Sequence, residues 1–246
     1  MIWYSRKFYG FRVHDNWFSV SPGILDKFFI QSYNHVRDPF RSPFLIKEAN
    51  NTVELDLTQT PEKIYEGFNS TVRNSVRKAA TEGVHCYFDN DIAKFVAFYN
   101  EFAVQKGLST ETEENIAGFG DAFRISYAEL NGEILAVHTY VYDAEQKIVR
   151  QMHSASKRFD ENFDRNMIGR ANRLLHYRDM LTFKEEGIET YDFGGYEKVN
   201  SNQVIDSLLQ FKLGFGGVKK QSANYYTLPY YLLRTLYLKL NAKKIA

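Results

Sequence analysis

KIVRQMHSAS (residues 147–156), NMIGRANRLLHYRDMLTFKEEG (166–187) and IETYDFGG (188–195) follow one another, and their reading decides the fold. Ile148, Val149 and Met152 give the first piece the apolar, β-branched character of a buried strand. From about Asn166 the period changes, and Ile168, Ala171, Leu174, Leu175 and Leu181 recur at helical spacing. Gly187 stands where a helix stop is expected, and Gly194-Gly195 ends a short strand over Ile188–Phe193. A strand–helix–strand unit of this length implies a right-handed crossover and a parallel strand pair. The glycine near the helix start, within Asn166-Met167-Ile168-Gly169-Arg170-Ala171, has two readings. Free backbone N–H groups and the helix dipole can hold phosphate there, or Gly169 simply allows close packing.

Around this unit the chain of 246 residues is long for one simple domain and short for two full ones. Its 44% hydrophobic and 16% aromatic content supplies a packed core and excludes a disordered chain. A net charge of +1 offers no global attraction for nucleic acid, although it leaves room for a local basic patch. The single cysteine, Cys86, excludes an intrachain disulfide and a cysteine-cluster zinc site, and reads as a small buried apolar residue. No His-x-x-x-His spacing occurs, so no catalytic metal is expected. The first twenty residues lack the apolar run of a secretion signal, and no stretch reaches the length of a membrane span. A cytoplasmic protein is the expectation.

In chain order, strands are expected at Trp17–Val20 and Val53–Leu57. Thr60-Pro61 then opens a helix running through Ile64, Tyr65, Phe68, Val72 and Val76 to about Ala80. Arg73, Arg77 and Lys78 crowd its C-terminal half, where cations offset the dipole; Arg73 and Arg77 are also candidates for binding substrate. Val84–Phe88 reads as a strand. Ile92, Phe95, Val96, Tyr99, Phe102 and Ala103 form one helical stripe. Phe123, Ile125 and Tyr127 alternate, and Asn131-Gly132 signals a type I′ hairpin leading to a strand over 133–142. A polar loop over 196–203 precedes a helix from Val204 to Leu213, and 218–226 reads as one long strand or a pair.

The order over 84–228 resembles the GNAT superfamily of N-acyltransferases. Asn166-x-x-Gly169-x-Ala171 is similar to that superfamily's pyrophosphate loop, with Asn in the place of the usual Gln or Arg. Leu208–Phe215 is similar to its helix beside the pantetheine arm. Arg73-Asn-Ser-Val-Arg77-Lys78, Asp192-Phe-Gly-Gly195 and Phe211-Lys212-x-x-Phe215-Gly216-Gly217 resemble the Fem-type peptidoglycan-bridge aminoacyltransferases and their polysaccharide-locus relatives. The fold implied is α/β (α+β): a GNAT-like mixed central sheet, an antiparallel meander, a parallel crossover at the fourth and fifth strands, and helices on both faces. The organisation implied is an N-terminal extension or truncated GNAT-like subdomain over 1–83, an acyltransferase domain over 84–228 and a basic amphipathic tail over 229–246.

The resemblance implies attack by a primary amine on an activated acyl group, in bacterial cell-envelope biogenesis. Acyl-CoA, acetyl-CoA first, is the expected donor, and the acceptor an amino sugar or a lipid-linked envelope precursor. Aminoacyl-tRNA is the alternative donor, and an inactive GNAT-like binding module the third reading. Asn166, Gly169, Arg170 and Ala171 would hold donor phosphate, and Phe211 would pack against the acyl or adenine end. Lys212 would meet donor phosphate or the developing oxyanion. His153 or Asp192 would take the amine's proton, and Tyr196 would protonate a leaving thiolate. The tail combines Arg234, Lys239, Lys243 and Lys244 with Tyr231, Leu232, Leu236, Tyr237, Leu238 and Leu240 and no acid. It would either pack on the core or rest on the inner face of an anionic membrane.

Overall fold

The computed structural model describes residues 2–8, 10–18, 23, 25–37, 40–196 and 203–245. These form two compact units, residues 52–220 and residues 1–51 with 221–246.

In the first unit the second half of β4 (Leu45–Asp56), β9 (Thr190–Gly195), β8 (Ile148–Ser156), β7 (Glu133–Asp143), β6 (Phe123–Leu130) and β5 (His85–Phe88) lie side by side in that order. β5 to β8 form the expected antiparallel meander, and Asn131 and Gly132 turn with φ of 54° and 84°. β8 then crosses through α5 (Arg165–Glu185) to β9, and the two pair in parallel. α2 (Ser70–Thr81) and α5 cover one face, while α3 (Ile92–Lys106) covers the other. The main core gathers Val53, Phe68, Val76, Tyr140, Val149, Leu174, Phe183, Tyr191, Phe193 and Phe215. Each such side chain contributes about 1.5–3 kcal/mol on burial.

Two expectations need correcting. The helix expected from Thr60 to Ala80 is two, α1 (Pro61–Glu66) and α2, because the Asn69 side chain accepts from Val72 N–H and starts a second helix. The expected strand at 17–20 is replaced by β2 (Phe11–Trp17); Phe18 leaves it at φ 58°, and Ser19 and Val20 lie outside the described residues, as does most of the loop, 197–202. Residues 218–226 belong to one strand, β10 (Val218–Thr227). Gly83, taken above as the border of an N-terminal extension, lies inside the first unit between α2 and β5.

In the second unit β1 (Ile2–Phe8) pairs antiparallel with β2, β2 parallel with β3 (Gln31–Val36), and β3 antiparallel with the end of β10. Small cores form around Tyr33, Val36, Leu45 and Tyr225 and around Val13, Tyr226 and Tyr230. The Tyr225 hydroxyl donates to Phe40 O at 2.6 Å and accepts from Phe40 N at 2.7 Å. The tail is helix α7 (Leu228–Ile245), which buries Tyr230 and leaves Leu228, Leu232 and Leu236, four residues apart, exposed.

Candidate active site

The site begins where β8 and β9 part. Their parallel register covers Ile148↔Thr190, Val149↔Tyr191 and Arg150↔Asp192; beyond it β8 runs on to Ser156, while β9 ends at Gly195. At the last pair, buried Asp192 accepts from Arg150 Nη1 at 2.6 Å and from Gly194 N–H at 2.7 Å, and from the Thr52 hydroxyl. Arg150 Nη1 also lies 3.2 Å from Thr52 Oγ1. A buried charge pair persists only when both members are hydrogen-bonded this fully.

Lys212, on α6 (Gln203–Leu213), comes to the same place. Its ammonium donates to Gly194 O at 3.0 Å and Gly195 O at 2.7 Å, so two of its three N–H groups hold the exposed end of β9. Burial lowers the Lys212 pKa to about 8; Asp192 opposes that shift and Arg150 adds to it. The Phe-Gly-Gly of 215–217 locks this helix end down. A Cβ on Gly217 would stand 2.6 Å from Val53 Cγ1, and one on Gly216, at φ 78°, 2.9 Å from Gly67 O.

Behind the site a buried polar chain joins β6, β7, β9 and α5. Tyr140 O–H and Ser126 O–H donate to Asp179 Oδ2 at 2.6 and 2.8 Å, and His138 Nδ1 lies 3.0 Å from the same oxygen. The hydroxyls of Tyr140 and Tyr191 are 2.7 Å apart, and Tyr191 meets His176 Nδ1 at 2.8 Å. Burial first, then the positive potential of His138, Lys212 and Arg173, holds His176 well below the usual imidazole value. Its ring packs among Phe193, Phe211 and Phe215. Burial pushes the Cys86 thiol up to about 12, which leaves it a core residue and no nucleophile.

The remaining expected residues are dispersed. His153 faces α3: Tyr99 meets its ring edge-on at 4.7 Å, Thr139 Oγ1 lies 2.7 Å from its Nδ1, and Glu111 lies 3.4 Å from its Nε2. Tyr196 follows β9 and packs against the main core with Phe211. α5 starts earlier than an anion loop at 166–171 requires. Asp164 caps it, accepting from Asn166 and Met167 N–H, so Gly169 and Arg170 lie in the second turn with their own N–H groups inside the helix ladder. Arg170 instead grips Glu82 with two hydrogen bonds, at 2.9 and 2.7 Å, and Ala171 is fully buried. The expectation of free N–H groups facing an anion there is therefore corrected. Arg73 donates to the carbonyls of Glu66 and Phe68 and closes the α1–α2 corner, and Arg77 reaches Asn74 Oδ1 at 2.9 Å.

Arg150, Thr52, Arg173 and His176 were missed. An arginine between Val149 and Gln151 in an apolar strand was a legible signal, because a charge there needs a buried partner.

The crossover and the Phe-Lys…Phe-Gly-Gly helix end belong to a mixed α/β fold that several solved structures share. Among solved structures the chain is similar to FemX (TM-score 0.60, 14% identity, 76% of this chain) and spans 63% of that protein's length. It is similar also to L-PGS from Bacillus licheniformis, at TM-score 0.54 and 12% identity over 88% of this chain and 74% of that one. A third is the C-terminal domain of a putative lysylphosphatidylglycerol synthetase from Agrobacterium fabrum, at 0.53 and 13% over 85% and 70%. At these identities the likeness is one of fold. No protein-family model and no curated protein matches the sequence.

Proposed function

We propose that the protein is an N-acyltransferase, moving an acyl group from an activated donor to a primary amine. One observation carries the reading. Lys212 is held by two backbone carbonyls at the mouth of the parted strands, with one N–H left over among the described residues. The amine nitrogen forms the new bond to the acyl carbon, the oxygen becomes an oxyanion met by that third N–H, and the C–O or C–S bond of the donor then breaks. The amine's proton goes to a base, for which His153 is the better of the two expected residues, since the lone pairs of Asp192 are engaged by Arg150, Thr52 and Gly194. Preorganised donors of this kind contribute about 2.7–4 kcal/mol to a transition state.

An aminoacyl ester, as on charged tRNA, is the favoured donor, because Phe211-Lys212-x-x-Phe215-Gly216-Gly217 resembles the Fem-type branch and the Asp164 carboxylate stands at the start of α5. Acyl-CoA is the second reading. The acceptor is proposed to be an amino sugar or lipid-linked precursor, reached at a membrane surface through α7; no helix among the described residues is long and apolar enough to cross one. Thermal unfolding with charged tRNA, acetyl-CoA and CoA in parallel tests the donor. A ligand at a hundred times its dissociation constant stabilises by about 2.7 kcal/mol. No shift and no acyl transfer with any of them leaves the binding-module reading.

A further inference from the structure

Gly169 and Arg173 stand one turn apart on α5, and each explains the other. A Cβ on Gly169 would lie 3.3 Å from Arg173 Nη1. The missing side chain leaves room for the guanidinium, which folds back and donates to Gly169 O at 2.9 Å. In that posture its central carbon lies 5.1 Å from the centre of the Phe211 ring, on the helix that carries Lys212. Arg173 Nε is buried with no hydrogen-bond partner, and no carboxylate pairs with this side chain among the described residues. The contrast with its neighbours is sharp: Arg150 has Asp192 and Arg170 has Glu82. Burial lowers the Arg173 pKa, as expected of a cation short of compensating charge. Leaving a buried N–H unpaired costs free energy, and a planar guanidinium matches phosphate oxygens as a fork.

We propose that Arg173, braced on Phe211 in the space Gly169 leaves, binds a phosphate group of the activated donor. This rests on the acyl-transfer reading and replaces the backbone of 166–171 as its anion subsite. The phosphate is either that of a CoA thioester or that at the 3′ end of charged tRNA. In both, an adenine lies near the phosphate, and Phe211 offers the apolar face beside the guanidinium.

Calorimetric titration of the full chain with inorganic pyrophosphate, CoA and an aminoacylated RNA minihelix tests the site. Arg173→Gln, checked for native circular dichroism, should weaken pyrophosphate at least about tenfold, the value of a lost charge-assisted hydrogen bond. Arg173→Lys should lose part of that and Arg178→Gln, exposed on the same helix, none. Gly169→Ala should weaken pyrophosphate by less, since its Cβ would press on the guanidinium from 3.3 Å. Whichever donor loses affinity in step with pyrophosphate identifies the source of the phosphate. No pyrophosphate binding by the wild type, or equal binding by Arg173→Gln, overturns the proposal. Transfer at wild-type KM in Arg173→Gln removes this site and leaves the acyl-transfer reading standing. Arg173-dependent pyrophosphate binding without use of either donor keeps the site and removes that reading.

Discussion

The two compact units carry opposite charge. Residues 1–51 with 221–246 hold eleven Lys and Arg against four Asp and Glu, a net +7, whereas residues 52–220 hold twenty against twenty-six, a net −6. The whole-chain value of +1 conceals both. Residues 52–220 turn charge inward, in the pair Arg150–Asp192, where each partner is buried and hydrogen-bonded. The other unit turns apolar side chains outward: Leu25, Phe28 and Phe29 are exposed, as are Leu228, Leu232 and Leu236 of α7. Thr227, just before α7, donates to Phe29 O, so the two exposed groups adjoin. Net charge over a whole chain reports on neither chemistry; its distribution does.

The comparison breaks first at the inward charges. Arg150→Met leaves Asp192 buried without its counter-charge and should destabilise by about 3–5 kcal/mol in urea unfolding. A loss under about 1 kcal/mol would mean the pair is not a structural element of the site. Lys212→Met should lower turnover by about 10²- to 10³-fold with a smaller change in substrate affinity; a change confined to KM would place Lys212 in ground-state binding instead.

The pH profile sharpens the same point. Lys212 acts in its charged form, so turnover should fall about tenfold per unit as pH rises above about 8. Stability moves the opposite way. The folded state holds this proton less tightly than the unfolded chain, so stability should rise between about 8 and the ordinary lysine value, a slope that Lys212→Met removes. Tyr191→Phe leaves His176 Nδ1 unpaired and should cost about 1–3 kcal/mol; no cost would show that the buried chain does not hold His176.

The outward unit should respond differently. Deleting residues 229–246 should remove binding to anionic vesicles in a flotation assay, and each neutralised cation should weaken it by about 1 kcal/mol, less at high salt. Turnover on a soluble acceptor should be unchanged. Binding that survives the deletion, or that is absent throughout, assigns the leucine row of α7 to another partner.

Periodicity sufficed for the crossover, because a strand repeat of two changing to a helical repeat is visible along the chain, and Asn131-Gly132 admits little but a hairpin turn. Lys212 was reached through the resemblance of Phe211-Lys212-x-x-Phe215-Gly216-Gly217, and its setting follows from Gly216 and Gly217, where no Cβ fits. The role of Gly169 needed the fold. From sequence it admitted both close packing and a phosphate, and only the start of α5 at Arg165 put its N–H inside the ladder and the Arg173 guanidinium beside it. His153 and Asp192 looked alike along the chain, yet the side-chain direction on each strand sends one toward α3 and the other into the Arg150 pair. Local pattern is read over a few residues and is carried by the chain itself. Which buried charge meets which partner depends on residues as far apart as Thr52 and Asp192, and only tertiary packing brings those together.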